Sequence, residues 1–201
     1  ITTTAISGVT GVSAASGGTG ITAGGATITE RGLVYLVGAG TPTLANTKIS
    51  KGTGATNFSH TIVGLANNTT YTVRAFATNS AGTSYGVNRT FTTLNKPAVS
   101  TTAATSITGA SASLGGNVTN NGGTTVTARG IKWGTTNNPT TSITIGSSTG
   151  SFSSSLSGLS PGTTYYYRAW ATNSVGTTEA SVESFTTNSL PTSADHAETI
   201  L

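Results

Sequence analysis

Apolar and polar positions alternate along much of this chain, and the alternation is clearest from Tyr165 to Ala171. Tyr165, Tyr167, Ala169 and Ala171 fall on one face of an extended strand, with Tyr166, Arg168 and Trp170 on the other. A near-copy sets Tyr71, Val73, Ala75 and Ala77 against Thr72, Arg74 and Phe76. A period of two, carried by β-branched and aromatic residues, predicts a half-buried strand. Asn67-Asn68 and Pro161-Gly162 supply a turn before each copy. Asn79-Ser80-Ala81-Gly82 and Asn173-Ser174-Val175-Gly176 supply one after it. A last strand then ends in Phe91-Thr92-Thr93 or Phe185-Thr186-Thr187.

Other strands follow the same logic. Residues 1–7 and 99–105 read as first strands rich in β-branched residues. Second strands run over 11–21 and 109–119, and each contains a Gly pair that predicts a bulge or a close backbone approach. Third strands at 27–37 and 125–134 point Leu33 and Tyr35, or Ile131 and Trp133, inward. They leave Val34 and Lys132 to solvent. A short strand is expected at 47–51, and another runs from Phe58 or Phe152 into the corner before Tyr71 or Tyr165.

The repeat sets the domain count. Arg129 follows Arg31 by 98 positions and Arg168 follows Arg74 by 94, so the second copy has lost four residues between Tyr35 and Phe58. Loops absorb such losses most easily. The expected organisation is a domain at 1–94, a linker at 95–98, a domain at 99–188 and a tail at 189–201. Asn188-Ser189-Leu190-Pro191 mirrors the linker Leu94-Asn95-Lys96-Pro97. The tail is expected to start a short helix at Ser193 or a further strand at Thr199.

Leu159, Pro161, Thr163, Tyr165 and Ala169 form a pattern that resembles the E–F corner of fibronectin type III domains. The pieces Arg31-Gly-Leu-Val-Tyr35 and Arg129-Gly-Ile-Lys-Trp133 resemble tandem repeats of large secreted or cell-surface bacterial proteins. The resemblance covers the chain to about residue 189. It implies an all-β chain of two tandem seven-stranded antiparallel β-sandwiches, fibronectin type III-like and joined head to tail. It also implies a tyrosine corner at Tyr71 and Tyr165, with the hydroxyl returning to the backbone near the turn. A Trp in the second strand, usual in animal members, is missing. The core aromatic sits in the third strand instead.

Charge changes this picture little. The formal net charge is +4, and all nine Lys and Arg precede residue 179, against the single acid Glu30. These cations are scattered and do not line a groove, so no nucleic-acid partner is expected. The absence of Cys excludes disulfides and thiolate metal sites. No apolar run reaches the ~20 residues of a membrane helix. The chain begins at Ile, consistent with a processed or excised piece of an exported protein.

Candidate chemistry is sparse. Glycoside hydrolysis needs a pair of opposed carboxylates; Glu179 and Glu183, four apart on a strand, are better explained as edge residues. A hydrolytic triad needs a histidine in company. His60 is replaced by Ser154 in the other copy, and His196 lies in the tail. Calcium prefers clustered oxygens, and Asp195 is the only Asp. Neither an enzyme, a cofactor nor a metal is expected. The candidate contact surface is the outward face carrying Tyr166, Arg168 and Trp170, with Lys132 beside them and Arg74 and Phe76 as counterparts. An aromatic beside Arg suits a sugar or protein platform. The recurrence of Arg74 and Phe76 in the first copy favours the other reading, a guanidinium stacked to cover the sheet.

These readings make the chain a structural or adhesive repeat of an exported bacterial surface or filament protein, located outside the cell. Its expected partners are neighbouring copies or further domains of the same protein, with surface glycans as a further class. The alternatives are a carbohydrate-binding accessory module of a secreted polysaccharide-degrading enzyme and a phage fibre or capsid decoration. The uncharged first strand either adds to a neighbour's sheet or completes its own domain.

Overall fold

The computed structural model describes residues 1–191. The elements expected after Ser193, together with Asp195 and His196, lie outside them. The chain divides into two compact units, Ile1–Asn95 and Lys96 onward.

In unit 1 the sequence alternation produces β1 (Thr2–Thr3), β2 (Ser13–Thr19) and β5 (Phe58–Val63) in a three-stranded antiparallel sheet ordered β1-β2-β5. The second sheet holds β4 (Thr47–Ser50), β3 (Glu30–Val37) and β6 (Thr70–Asn79). It continues into β7 (Gly82–Tyr85) and β8 (Arg89–Thr92), which both pair with β6. β7 and β8 are two pieces of one interrupted final strand, so each unit is a seven-stranded sandwich whose last strand is broken.

Unit 2 repeats the arrangement. Its small sheet is β9 (Ala98–Thr105), β10 (Ser111–Asn120) and β13 (Gly150–Ser157). The larger sheet is β12 (Thr141–Gly146), β11 (Ala128–Gly134), β14 (Thr164–Asn173), β15 (Gly176–Glu179) and β16 (Glu183–Thr186).

Each core lies between the two sheets of its own unit. Leu33, Val73, Ala75 and Tyr71 meet Ala14 and Ile62 in unit 1. Ile131, Tyr165, Tyr167 and Ala169 meet Leu114, Val118, Phe152 and Leu156 in unit 2. Burying a large apolar side chain such as Leu33, Val73, Ile131 or Phe152 contributes about 1.5–3 kcal/mol, so the stability of each unit is shared among the inward residues of both its sheets. The Gly pairs serve close approach. A methyl group on Gly116 would press on Ala169 and come within 2.9 Å of the Phe152 ring. Next to it, the β9–β10 register shifts between Ser113 and Gly115.

The four-residue difference falls in one loop. Eleven residues separate Tyr35 from Thr47, whereas seven separate their counterparts Trp133 and Thr141. The first strand of unit 1 stays in its own domain: Thr2 and Thr3 pair with Thr19 and Gly18, and Ser7 bridges Ala15.

Candidate functional site

Two faces of β14 have different fates. The inward residues are core, whereas Tyr166, Arg168 and Trp170 are half-buried on the outer face. Strand register fixes their neighbours: Lys132 stands opposite Arg168, Gly130 opposite Trp170 on one side, and Glu179 opposite Trp170 on the other. Glu179 is the residue that sequence reading missed in this cluster. It pairs with Lys132 through one carboxylate oxygen and with Arg168, at 2.7 Å, through the other. Arg168 also donates to Asn138 Oδ1 at 3.2 Å. The Lys132 hydrogen bond, helped by the Arg168 charge, holds the Glu179 carboxyl below its usual range despite partial burial. Glu183, read from the sequence as lying on the same strand as Glu179, lies apart from it on β16 opposite Tyr167.

Trp170 leans over the backbone of Gly130, where a side chain would meet the indole. Its indole N–H is buried and has no acceptor among the described residues. The ring therefore covers sheet backbone, and its hydrogen-bonding tip is turned away from solvent.

The counterpart face in unit 1 corrects the sequence reading. Val34 and Phe76, expected in solvent, are both 0% exposed. The longer loop lies tied to that same face. Arg74 donates to the Pro42 carbonyl at 3.3 Å, Leu44 N–H donates to the Tyr85 hydroxyl at 3.1 Å, and Asn88 donates to Gly40 O at 2.9 Å. Residues 38–46 are thus tied across the outside of the sheet. Arg74 lies 4.4 Å from the Tyr85 ring centre and donates from Nε to Gly86 O. Tyr85 and Glu179 occupy equivalent positions, as do Val34 and Lys132. The same place is closed by apolar packing in unit 1 and by an ion-paired cluster in unit 2.

At the corners, Ala66 N–H donates to the Tyr71 hydroxyl and Ser160 N–H to the Tyr165 hydroxyl, both at 3.0 Å. Tyr165 stacks on Phe185 at 5.7 Å and meets Trp133 at 5.9 Å. Thr93 and Thr187 complete each corner, donating to Ala66 O at 2.6 Å and to Ser160 O at 2.7 Å. The Arg-Gly pieces also serve the fold. Arg129 donates to the carbonyls of Ser148, Thr149 and Gly150 and lies over the Phe152 ring. Arg31 does the same for Thr53 and Gly54.

His60 is half-buried; burial first, and the Lys51 charge second, lower its pKa. No group of three or more His, Asp or Glu capable of holding a metal occurs among the described residues, nor does a helix long and apolar enough to cross a membrane. A polar depression of about 140 Å³, lined by Ile1, Ala23, Asn79 and Ser84, falls below the ~300–1,000 Å³ of small-molecule sites.

No protein-family model matches the sequence, and no curated protein matches it. Solved structures similar to it include the sensor domain of the anti-sigma factor RsgI4 in Pseudobacteroides cellulosolvens, at 21% identity, TM-score 0.40, over 48% of this chain and 98% of that one. The FN1–FN3 domains of chicken CNTN1 are similar at 13% identity, TM-score 0.44, over 94% and 66%. A two-domain fibronectin type III segment of chicken tenascin is similar at 17% identity, TM-score 0.36, over 92% and 96%. The fold is read from the chain's own strand order: two tandem fibronectin type III-like β-sandwiches.

Proposed function

We propose that this chain is a non-catalytic structural and adhesive segment of an exported bacterial surface or extracellular filament protein, with neighbouring copies or further domains of that protein as its partners. One observation carries the reading. The polar side chains that recur in both units are spent on the fold itself. Arg31 and Arg129 hold loop carbonyls, Tyr71 and Tyr165 hold corner amides, and Thr93 and Thr187 hold corner carbonyls. Lys132 and Arg168 are both engaged by the Glu179 carboxylate, and Trp170 covers the sheet backbone at Gly130 beside them. A carbohydrate platform needs an open ring with accessible donors, and the buried Trp170 N–H supports the structural reading over that one.

The test is surface labelling. Antibodies raised against the chain should stain intact source cells and co-purify with their extracellular fraction. Staining that appears only after permeabilisation overturns the reading.

A further inference from the structure

The two units share one frame but differ at one sandwich edge. In unit 1 that edge carries charge: Lys48 lies on β4, Lys51 follows it, and Lys51 Nζ comes within 3.5 Å of His60 Nδ1 on β5. Position for position, their counterparts in unit 2 are Ser142, Ile145 and Ser154. The difference belongs to a longer uncharged run, since no Lys, Arg, His, Asp or Glu occurs from Trp133 to Tyr167.

Within that run lies β13, the terminal strand of its sheet. It pairs with β10 at eight successive positions, from Val118↔Gly150 to Ser111↔Ser157, without a bulge. Phe152 and Leu156 turn into the core, whereas Ser151, Ser153, Ser155 and Ser157 are exposed. Its outer backbone edge has no strand partner among the described residues. Arg129 lies over the Phe152 ring and is bound to the Ser148, Thr149 and Gly150 carbonyls at the start of the strand, leaving 153–157 without a charged side chain of their own. Natural edges are usually blocked by Lys, Pro, bulges or shortness. β13 has none of these.

We propose that β13 is a self-association edge, along which a second copy of this chain adds its own β13 antiparallel about a two-fold axis. The occupant follows from the side chains. Antiparallel two-fold pairing sets the strand against its own reversed sequence, residue i facing j and j facing i, so about Ser154 the exposed Ser153 faces Ser155 and Ser151 faces Ser157. Lys or His there would repel its own image, whereas facing Ser side chains hydrogen-bond or pass without a clash. The product is a continuous sheet ordered β9-β10-β13 and then β13-β10-β9 of the second copy. The inference rests on the reading of the chain as an assembling module and names the surface that assembles.

The experiment is sedimentation velocity of the whole chain across a concentration range, beside Ser153→Lys/Ser155→Lys and a charge control, Thr125→Lys. Wild type and control should dimerise. The double variant should show a dissociation constant raised at least tenfold, with an unchanged thermal midpoint at concentrations low enough for both proteins to be monomeric. Hydrogen exchange of the wild type supplies a readout independent of any variant: protection of the amides of 151–157 should rise with concentration. A dimer that survives both lysines, or concentration-dependent protection elsewhere, overturns the β13 edge while leaving an assembling module with another interface. A wild type that stays monomeric throughout also overturns it, and surface labelling then decides separately whether the module is exported.

Discussion

Thr3 and Ala75 lie 72 residues apart, yet the Ala75 amide donates to the Thr3 hydroxyl at 3.0 Å. The contact links the first strand of one sheet to the centre of the other. It sits where the final strand breaks: Gly86 N–H still donates to Ala75 O, but β8 resumes only at Arg89, leaving the Ala75 N–H without a strand partner. Unit 2 repeats the device. Ala169 N–H donates to Thr101 Oγ1 at 3.1 Å, and that hydroxyl donates onward to Ser181 O at 2.7 Å.

Thr101→Val keeps the shape and removes the acceptor, leaving a buried amide unpaired. The expected loss is about 1–3 kcal/mol, with Thr101→Ser retaining most of the stability. Urea unfolding followed by tryptophan fluorescence checks this in unit 2 alone, because Trp133 and Trp170 both lie there.

Tyr165→Phe removes one hydroxyl while keeping the ring against Phe185 and Trp133. The Ser160 amide loses its partner, and the same assay should register about 1–2 kcal/mol of destabilisation. An unmoved midpoint would mean that the corner is held by packing alone.

Gly116→Ala and Gly134→Ala separate close approach from glycine content. A methyl group at Gly116 crowds Ala169, the Ser100 carbonyl and the Phe152 ring, whereas the nearest atom to one at Gly134 is 3.7 Å away. The first should cost about 1–3 kcal/mol or more and the second stay within ~0.5 kcal/mol. Equal effects would contradict the geometry.

Acid should weaken unit 2 through Glu179. Its carboxyl has a depressed pKa in the fold, owing first to Lys132 and then to Arg168. A depressed carboxylate stabilises above its unfolded pKa, ~4.3, and that contribution is lost as pH falls through the folded value. Urea midpoints should therefore fall between pH 5 and the depressed folded value, and Glu179→Gln should flatten that fall. A slope that survives the substitution would assign the acid sensitivity elsewhere.

Much of this architecture was legible in the alternation. Tyr71 to Ala77 and Tyr165 to Ala171 announced the central strands because each inward residue really meets the core. Alternation distinguishes two faces but cannot say whether the outer one is covered. Val34 and Phe76 are buried on a face across which residues 38–46 are tied, and the path of that loop depends on non-local bonds to Arg74, Tyr85 and Asn88. The place of Glu179 beside Lys132 and Arg168 escaped for a related reason, since it needs the β14–β15 register. Aligning the copies would have flagged it, because Val34 and Tyr85 become Lys132 and Glu179 together. Thr3 and Thr101 gave no local signal, being two threonines among many.

The role of the outer face of unit 2 is tested most directly by Trp170→Ala, with unfolding and retention on cell-surface polysaccharides measured on one preparation. Trp133 remains as the fluorescent reporter. If the indole is a structural cover over Gly130, unfolding should be easier by about 2–4 kcal/mol and retention should match the wild type. An unchanged unfolding curve with retention lost would make Trp170 a ligand contact and contradict the account.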